Sequence, residues 1–272
     1  MTGSAWLLVG RVSRVIVGPW VRSLSAMAGA HKPLIAVCQM TSTSDKEKNF
    51  ATCSRLIREA AGRRACMVFL PEAFDYIGGS IEETLSLAES LHGDTIQRYT
   101  QLARECGLWL SLGGFHEKGP NWDTDQRISN SHVVVDNTGH IVSVYRKAHL
   151  FDVDLQNGVS LRESSSTLPG AELIRPITSP AGKVLLRARA IETQCYVVAA
   201  AQTDRHNEKR TSYGHAMVVD PWGLVIGQCQ EGTGICYAEI DIPYMERVRR
   251  DMPVWRHRRT DLYGKISFNK PD

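Results

Sequence analysis

The chain's strongest constraint is a set of short apolar runs that have no polar face. Pro33-Leu-Ile-Ala-Val-Cys-Gln39 and Cys66-Met-Val-Phe-Leu70 are each too short for a helix and apolar on both alternating sides. Such runs are strands buried on both faces, which requires a sheet covered above and below. Between them, Asp45 to Ala61 carries apolar residues at Phe50, Cys53, Ile57 and Ala60–Ala61 behind an aspartate cap, a helical spacing. Helical stretches near Ile81–Ser90 and Thr95–Cys106 follow, then a strand over Leu108–Phe115 closed by Gly113-Gly114. Ile128–Asp136 and His140–Arg146 flank Asn137-Thr-Gly139 as a hairpin. Phe151–Ser179 reads as a long loop, Leu185–Glu192 as a helix and Tyr196–Ala201 as a strand. A second hairpin turns at Asp220-Pro-Trp-Gly223, before a strand over Gly234–Asp241, a helix from Pro243 and a basic tail to Asp272. Helices mixed with antiparallel hairpins predict layered α/β sheets.

Charge narrows the function. The 272 residues carry 32 Lys and Arg against 29 Asp and Glu. The whole excess lies in residues 1–30, which hold Arg11, Arg14 and Arg22 and no acid. The remainder is balanced and has no global field to attract nucleic acid or an anionic membrane, and no apolar run is long enough to span one. The acid-free, Arg- and Ser-bearing leader has the composition of a mitochondrial transit segment, and Met27 offers an internal start for a cytoplasmic form. The domain expected to do the chemistry is 31–272.

Seven scattered cysteines with no CxxC read as reduced, mostly buried thiols, although Cys229 and Cys236 are placed to face each other across a hairpin. Neither a metal nor a cofactor is expected. Three polar residues sit where catalytic groups are usually found, at strand ends. Taken singly, Glu72 after Phe69-Leu70-Pro71 also reads as a helix cap, Lys147 as a solvated base and Glu163 as an exposed carboxylate.

Together they say more. Phe69-Leu-Pro-Glu-Ala-Phe74, Tyr145-Arg-Lys-Ala-His-Leu-Phe-Asp152 and Leu161-Arg-Glu-Ser164 resemble, in order and spacing, the Glu and Lys motifs of the nitrilase superfamily of carbon–nitrogen hydrolases. The resemblance continues through Leu186-Arg-Ala-Arg-Ala-Ile-Glu-Thr-Gln194, Tyr213-Gly-His-Ala-Met-Val-Val-Asp-Pro-Trp-Gly223 and Arg258-Arg-Thr-Asp-Leu-Tyr263. It implies an α-β-β-α sandwich, a small-molecule amide as substrate and room for a homodimer. By motif, Glu72 is the implied general base, Lys147 the stabiliser of the oxyanion and Glu163 the supporting acid. Within the superfamily the chain is most similar to the branch that cleaves deaminated glutathione to 2-oxoglutarate and Cys-Gly, with an ω-amide as an alternative substrate.

One part of the family pattern is missing. Family strands that follow Pro-Ala-Gly-Lys run into a Cys-Tyr-Asp-x-Arg-Phe-Pro-Glu motif carrying the nucleophile. Here Pro180-Ala-Gly-Lys183 passes directly into Val184-Leu-Leu-Arg-Ala-Arg-Ala-Ile-Glu192, which belongs one helix and one strand later. The expectation is an internal deletion between Lys183 and Val184, removing about two strands, a helix and the catalytic cysteine. A clean junction of this kind suggests alternative splicing or a misjoined gene sequence. The expected product is inactive, with a partner-binding role as the non-catalytic alternative.

Overall fold

The computed structural model describes residues 32–154, 160–172 and 187–254. The leader expected over residues 1–30, the Lys183–Val184 junction and the motif at Arg258–Tyr263 lie outside them. The elements in chain order are β1 (Leu34–Met40), α1 (Lys46–Gly62), β2 (Met67–Leu70), α2 (Ile81–Leu87), α3 (Asp94–Cys106), β3 (Trp109–Lys118), β4 (Ile128–Val135) and β5 (Ile141–Arg146). They continue with β6 (Asp152–Asp154), β7 (Ser160–Arg162), a 3-10 turn (Glu163–Ser165), α4 (Arg187–Thr193), β8 (Val197–Ala199) and β9 (Ala201–Arg205). Last come β10 (Thr211–Tyr213), β11 (Met217–Val219), β12 (Val225–Gln228), β13 (Gly234–Glu239) and α5 (Ile242–Asp251).

The main sheet runs β10-β9-β1-β2-β3-β4-β5, with β13 also paired to β1. Its middle, β1-β2-β3, is parallel, while β4, β5 and β13 are antiparallel to their neighbours. A smaller sheet, β12-β11-β8, covers one face. Alternation along β1 shows why both faces must be covered. Ala36, Cys38 and Met40 pack with Leu56 and Ile57 of α1 and Ile96, Tyr99 and Leu102 of α3. Ile35 and Val37 point the other way, against Val218 of β11 and Tyr196, just ahead of β8. The far side of the small sheet, through Val197 and Val219, packs on Ala190 of α4. The order is therefore helix, sheet, sheet, helix, the sandwich that the resemblance implied.

Local signals explain the helices. Asp45 caps α1 by accepting the Lys48 N–H at 2.9 Å, and Cys53, Leu56, Ile57 and Ala60 form its buried stripe. Gly107 ends α3 in the left-handed conformation, at φ 65°.

The structure corrects three readings. Gly113-Gly114 does not close β3, since the strand continues to Lys118 with a register shift between Leu112 and Phe115. Tyr196–Ala201 is not one strand. The chain breaks at Ala200, so that β8 joins the small sheet and β9 the main one. Phe151–Ser179 is not loop throughout, because β6 and β7 pair antiparallel and lead into the 3-10 turn.

Candidate active site

Four neighbouring strands bring the site together at one end of the main sheet. β2 delivers Glu72 two residues after its last strand position, and β5 delivers Lys147 one residue after its own. β4 lies between β3 and β5 and places Asn130 between the two charged groups. Glu163 opens the 3-10 turn after β7. That turn is held to β6, where Ser164 donates its N–H and its hydroxyl to the Asp152 carboxylate at 3.0 and 2.6 Å.

All three residues expected from sequence converge on one nitrogen. Lys147 Nζ lies 3.3 Å from Glu72 Oε1 and 3.0 Å from Glu163 Oε2. The three side chains are only about a fifth to a quarter exposed. Burial works against the lysine's charge, but the Glu72 charge and the Glu163 hydrogen bond outweigh it, so Lys147 titrates above the ordinary lysine value. The group carries two carboxylates and one ammonium, a formal excess of one negative charge. A fixed ammonium beside a carboxylate base is suited to amide chemistry, in which a proton must move while charge develops on a carbonyl oxygen.

Three features of the site were not foreseen in the sequence. Asn130 Nδ2 donates to Glu72 Oε1 and, at 3.3 Å, to Glu163 Oε1, while its backbone carbonyl accepts the Lys147 N–H at 2.8 Å. Its side-chain amide thus joins the two carboxylates, while its backbone carbonyl fixes the main chain of Lys147. An asparagine inside a segment expected as a strand was the available signal. Gln202 of β9 donates to the backbone carbonyls of Glu72 and Ala73 at 2.9 and 3.1 Å, fixing the turn in which Ala73 takes φ 59°. The third is the glycine pair. A Cβ at Gly113 would lie 2.9 Å from Leu70 O, and one at Gly114 would lie 2.5 Å from Glu72 Cγ. The doublet read as a strand end is the space that Glu72 occupies.

The cysteines have other places. Cys38 and Cys53 belong to the helix-side core, and Cys53 Sγ packs 3.2 Å from Met40 Sδ, with burial pushing its thiol up to about 12. Cys66 lies at the opposite end of β2 from Glu72, and Cys106 is the last residue of α3. Cys195 is buried ahead of β8, where the Arg249 guanidinium donates to its sulfur at 2.9 Å. Cys229 and Cys236 lie between the sheets. No cysteine is among the hydrogen-bond partners described for Glu72, Lys147 or Glu163. Among the described residues no cluster of His, Cys, Asp and Glu is arranged to hold a metal, and no helix is long and apolar enough to cross a membrane.

Comparison with known proteins places this architecture. The carbon-nitrogen hydrolase family matches residues 34–186 and again 177–250, two overlapping stretches that meet around the Lys183–Val184 junction. The deaminated glutathione amidase of Bos taurus is 50% identical over 303 aligned residues, covering 96% of this chain and 92% of its own length. The Homo sapiens protein of the same name is 48% identical over equal coverage of this chain and 93% of its own. Since 96% of a 272-residue chain falls well short of 303, about forty aligned positions have no residue here, far more than a trimmed loop. The crystal structure of the Caenorhabditis elegans NitFhit protein superposes with a TM-score of 0.80 at 41% identity, over 86% of this chain and 67% of that one. A carbon–nitrogen hydrolase from Helicobacter pylori shares the fold, with a TM-score of 0.68 at 21% identity over 86% of this chain and 97% of its own. The chain belongs to the carbon–nitrogen hydrolase family, within the nitrilase superfamily.

Proposed function

We propose that this chain is a form of a deaminated-glutathione amidase that retains the acid–base and oxyanion groups and lacks the nucleophile. The observation that carries the reading is the Lys147 ammonium held between Glu72 and Glu163, at 3.3 and 3.0 Å. In the complete form, a cysteine thiolate adds to the amide carbonyl and Lys147 balances the charge that develops on its oxygen. Glu72 takes the thiol proton and passes it to the departing amine of Cys-Gly. It then draws a proton from the water that cleaves the thioester and releases 2-oxoglutarate. Glu163 holds the ammonium in place. The division of the family match into two stretches that overlap at residues 177–186 and the aligned positions without residues support a deletion between Lys183 and Val184. With no thiol beside Glu72, the chain as it stands forms no acyl-enzyme.

The experiment restores the block of the bovine relative between Lys183 and Val184 and compares variants on deaminated glutathione. Glu72→Gln and Lys147→Ala should each lower turnover by about 10²-fold or more, since each removes one named role. A near-normal rate in either would overturn the assignment of roles. The same reading extends to location. Residues 1–26 direct import into mitochondria, and initiation at Met27 yields a cytoplasmic form. A fluorescent reporter behind residues 1–30 should localise to mitochondria, and a wholly cytosolic signal would overturn this.

A further inference from the structure

The amide chemistry makes no use of two thiols that lie between the sheets. Cys229 follows the last residue of β12 and Cys236 is the third residue of β13. A Cβ at Gly227 would lie 3.0 Å from Tyr237 O and 3.8 Å from the Ala238 Cβ, so residue 227 faces 238. Cys229 and Cys236 each lie two residues nearer the turn, and their contacts bring them together. The Cys229 N–H donates to Ala216 O at 2.8 Å, and Cys236 Sγ reaches that same oxygen at 3.7 Å. Cys229 Sγ in turn lies 3.8 Å from the carbonyl of Val37, the residue opposite Cys236 in the β1–β13 ladder. Both thiols are free and buried. β12 and β13 belong to different sheets, so the pair is gathered by these shared contacts around the Ala216 and Val37 carbonyls, not by a common ladder.

We propose that Cys229 and Cys236 form a redox-active dithiol, which a peroxide oxidises to an intramolecular disulfide across the turn between β12 and β13. One thiol of the pair reacts with hydrogen peroxide, becoming a sulfenic acid with release of water. The sulfur of the other then attacks it, the S–S bond forms, and the hydroxyl leaves as a second water with the second thiol's proton. Two thiols lose two hydrogens, and one peroxide becomes two waters. The closed loop contains the carbonyls of Gln230 and Gly232, which accept from the buried Gln39 Nε2 at 2.6 and 2.7 Å. The disulfide thereby braces β1 from the turn. This inference does not depend on the amidase reading.

The test uses the full chain, reduced and then treated with stoichiometric hydrogen peroxide, alkylated with N-ethylmaleimide and digested with trypsin. Both cysteines fall in one peptide, Thr211–Arg247. That peptide should lose two hydrogens and escape alkylation, the other five cysteines should be alkylated, and dithiothreitol should reverse the change. In at least one of Cys236→Ser and Cys229→Ser, the remaining cysteine of the pair should be trapped as a dimedone adduct. Full alkylation of Thr211–Arg247, oxidation confined to Cys66 or Cys106, or linkage that appears only in urea would overturn the proposal. The mass of the unmutated peptide decides the matter even if a variant fails to fold.

Discussion

Lys147 shows how a residue can be readable in company and unreadable alone. A lysine after a strand is ordinarily a solvated base. Its motif partners distinguished it, and the structure explains why they must occur together, since each carboxylate lies within 3.3 Å of the same nitrogen. Replacing it by methionine leaves two facing carboxylates without their cation. We expect Lys147→Met to cost about 1–3 kcal/mol in urea unfolding at pH 7. A folded-state pKa above the unfolded value makes this contribution complete below about pH 10.4 and lost as pH rises through the elevated value. The gap between wild type and variant should therefore narrow in strong alkali, and a gap that widens there would contradict the assignment. His132 works in the opposite direction. Burial pushes it down to about 4, and its Nε2 pairs with the Ser111 hydroxyl at 2.9 Å. Below about pH 6.5 the unfolded chain takes up a proton that the folded chain refuses, so stability should fall between pH 6.5 and 4. In His132→Asn that fall should be smaller when unfolding is followed against pH. Asn130 was not legible in the sequence. Its place in a strand is the one local signal, and that does not reveal an amide joining two carboxylates from distant segments.

Elements that depend on local pattern were the legible ones. α1, α3 and the β4–β5 hairpin stand close to where capping, periodicity and turn residues put them, because those signals act within a few residues. The errors fell where a distant partner decides the outcome. The Tyr196–Ala201 run divides into β8 and β9 because two different sheets claim its halves, which no local signal records. Gly113-Gly114 was read as a stop signal because glycine punctuates strands. The doublet instead makes a bulge inside β3 that accommodates Glu72. Gly114 stands at φ 64°, and a side chain there meets both the Glu72 Cγ and, at 2.9 Å, Asn130 Oδ1. Gly114→Ala should therefore cost about 1–3 kcal/mol by chemical denaturation. In the block-restored form it should also lower turnover by displacing the base. Unchanged stability and turnover would mean that the glycine is not what positions Glu72.

At the scale of the whole molecule, the four layers could be inferred from apolar strands that had to be covered on both sides, and the family followed from motifs spread along nearly the entire body. What remains distinctive is the imbalance between the sheets. The main sheet has eight strands, and the small one has three among the described residues. Trp222 and Leu224, at the turn of the small sheet's β11–β12 hairpin, are 58% and 63% exposed. The proposed deletion, by removing two strands and a helix from such a sandwich, would leave strand edges and apolar area without partners. Since net stability is only about 5–15 kcal/mol, the remnant should melt at a lower temperature and less cooperatively than the block-restored form. Circular dichroism of residues 27–272 with and without the block checks this, and equal, cooperative melts would contradict it. The most direct test of the account as a whole is turnover of deaminated glutathione by those same two proteins, followed as release of 2-oxoglutarate and Cys-Gly. The account predicts no product from the chain as it stands and sustained turnover once the block is inserted between Lys183 and Val184. Product from the unmodified chain, or none from a folded, restored one, would contradict it.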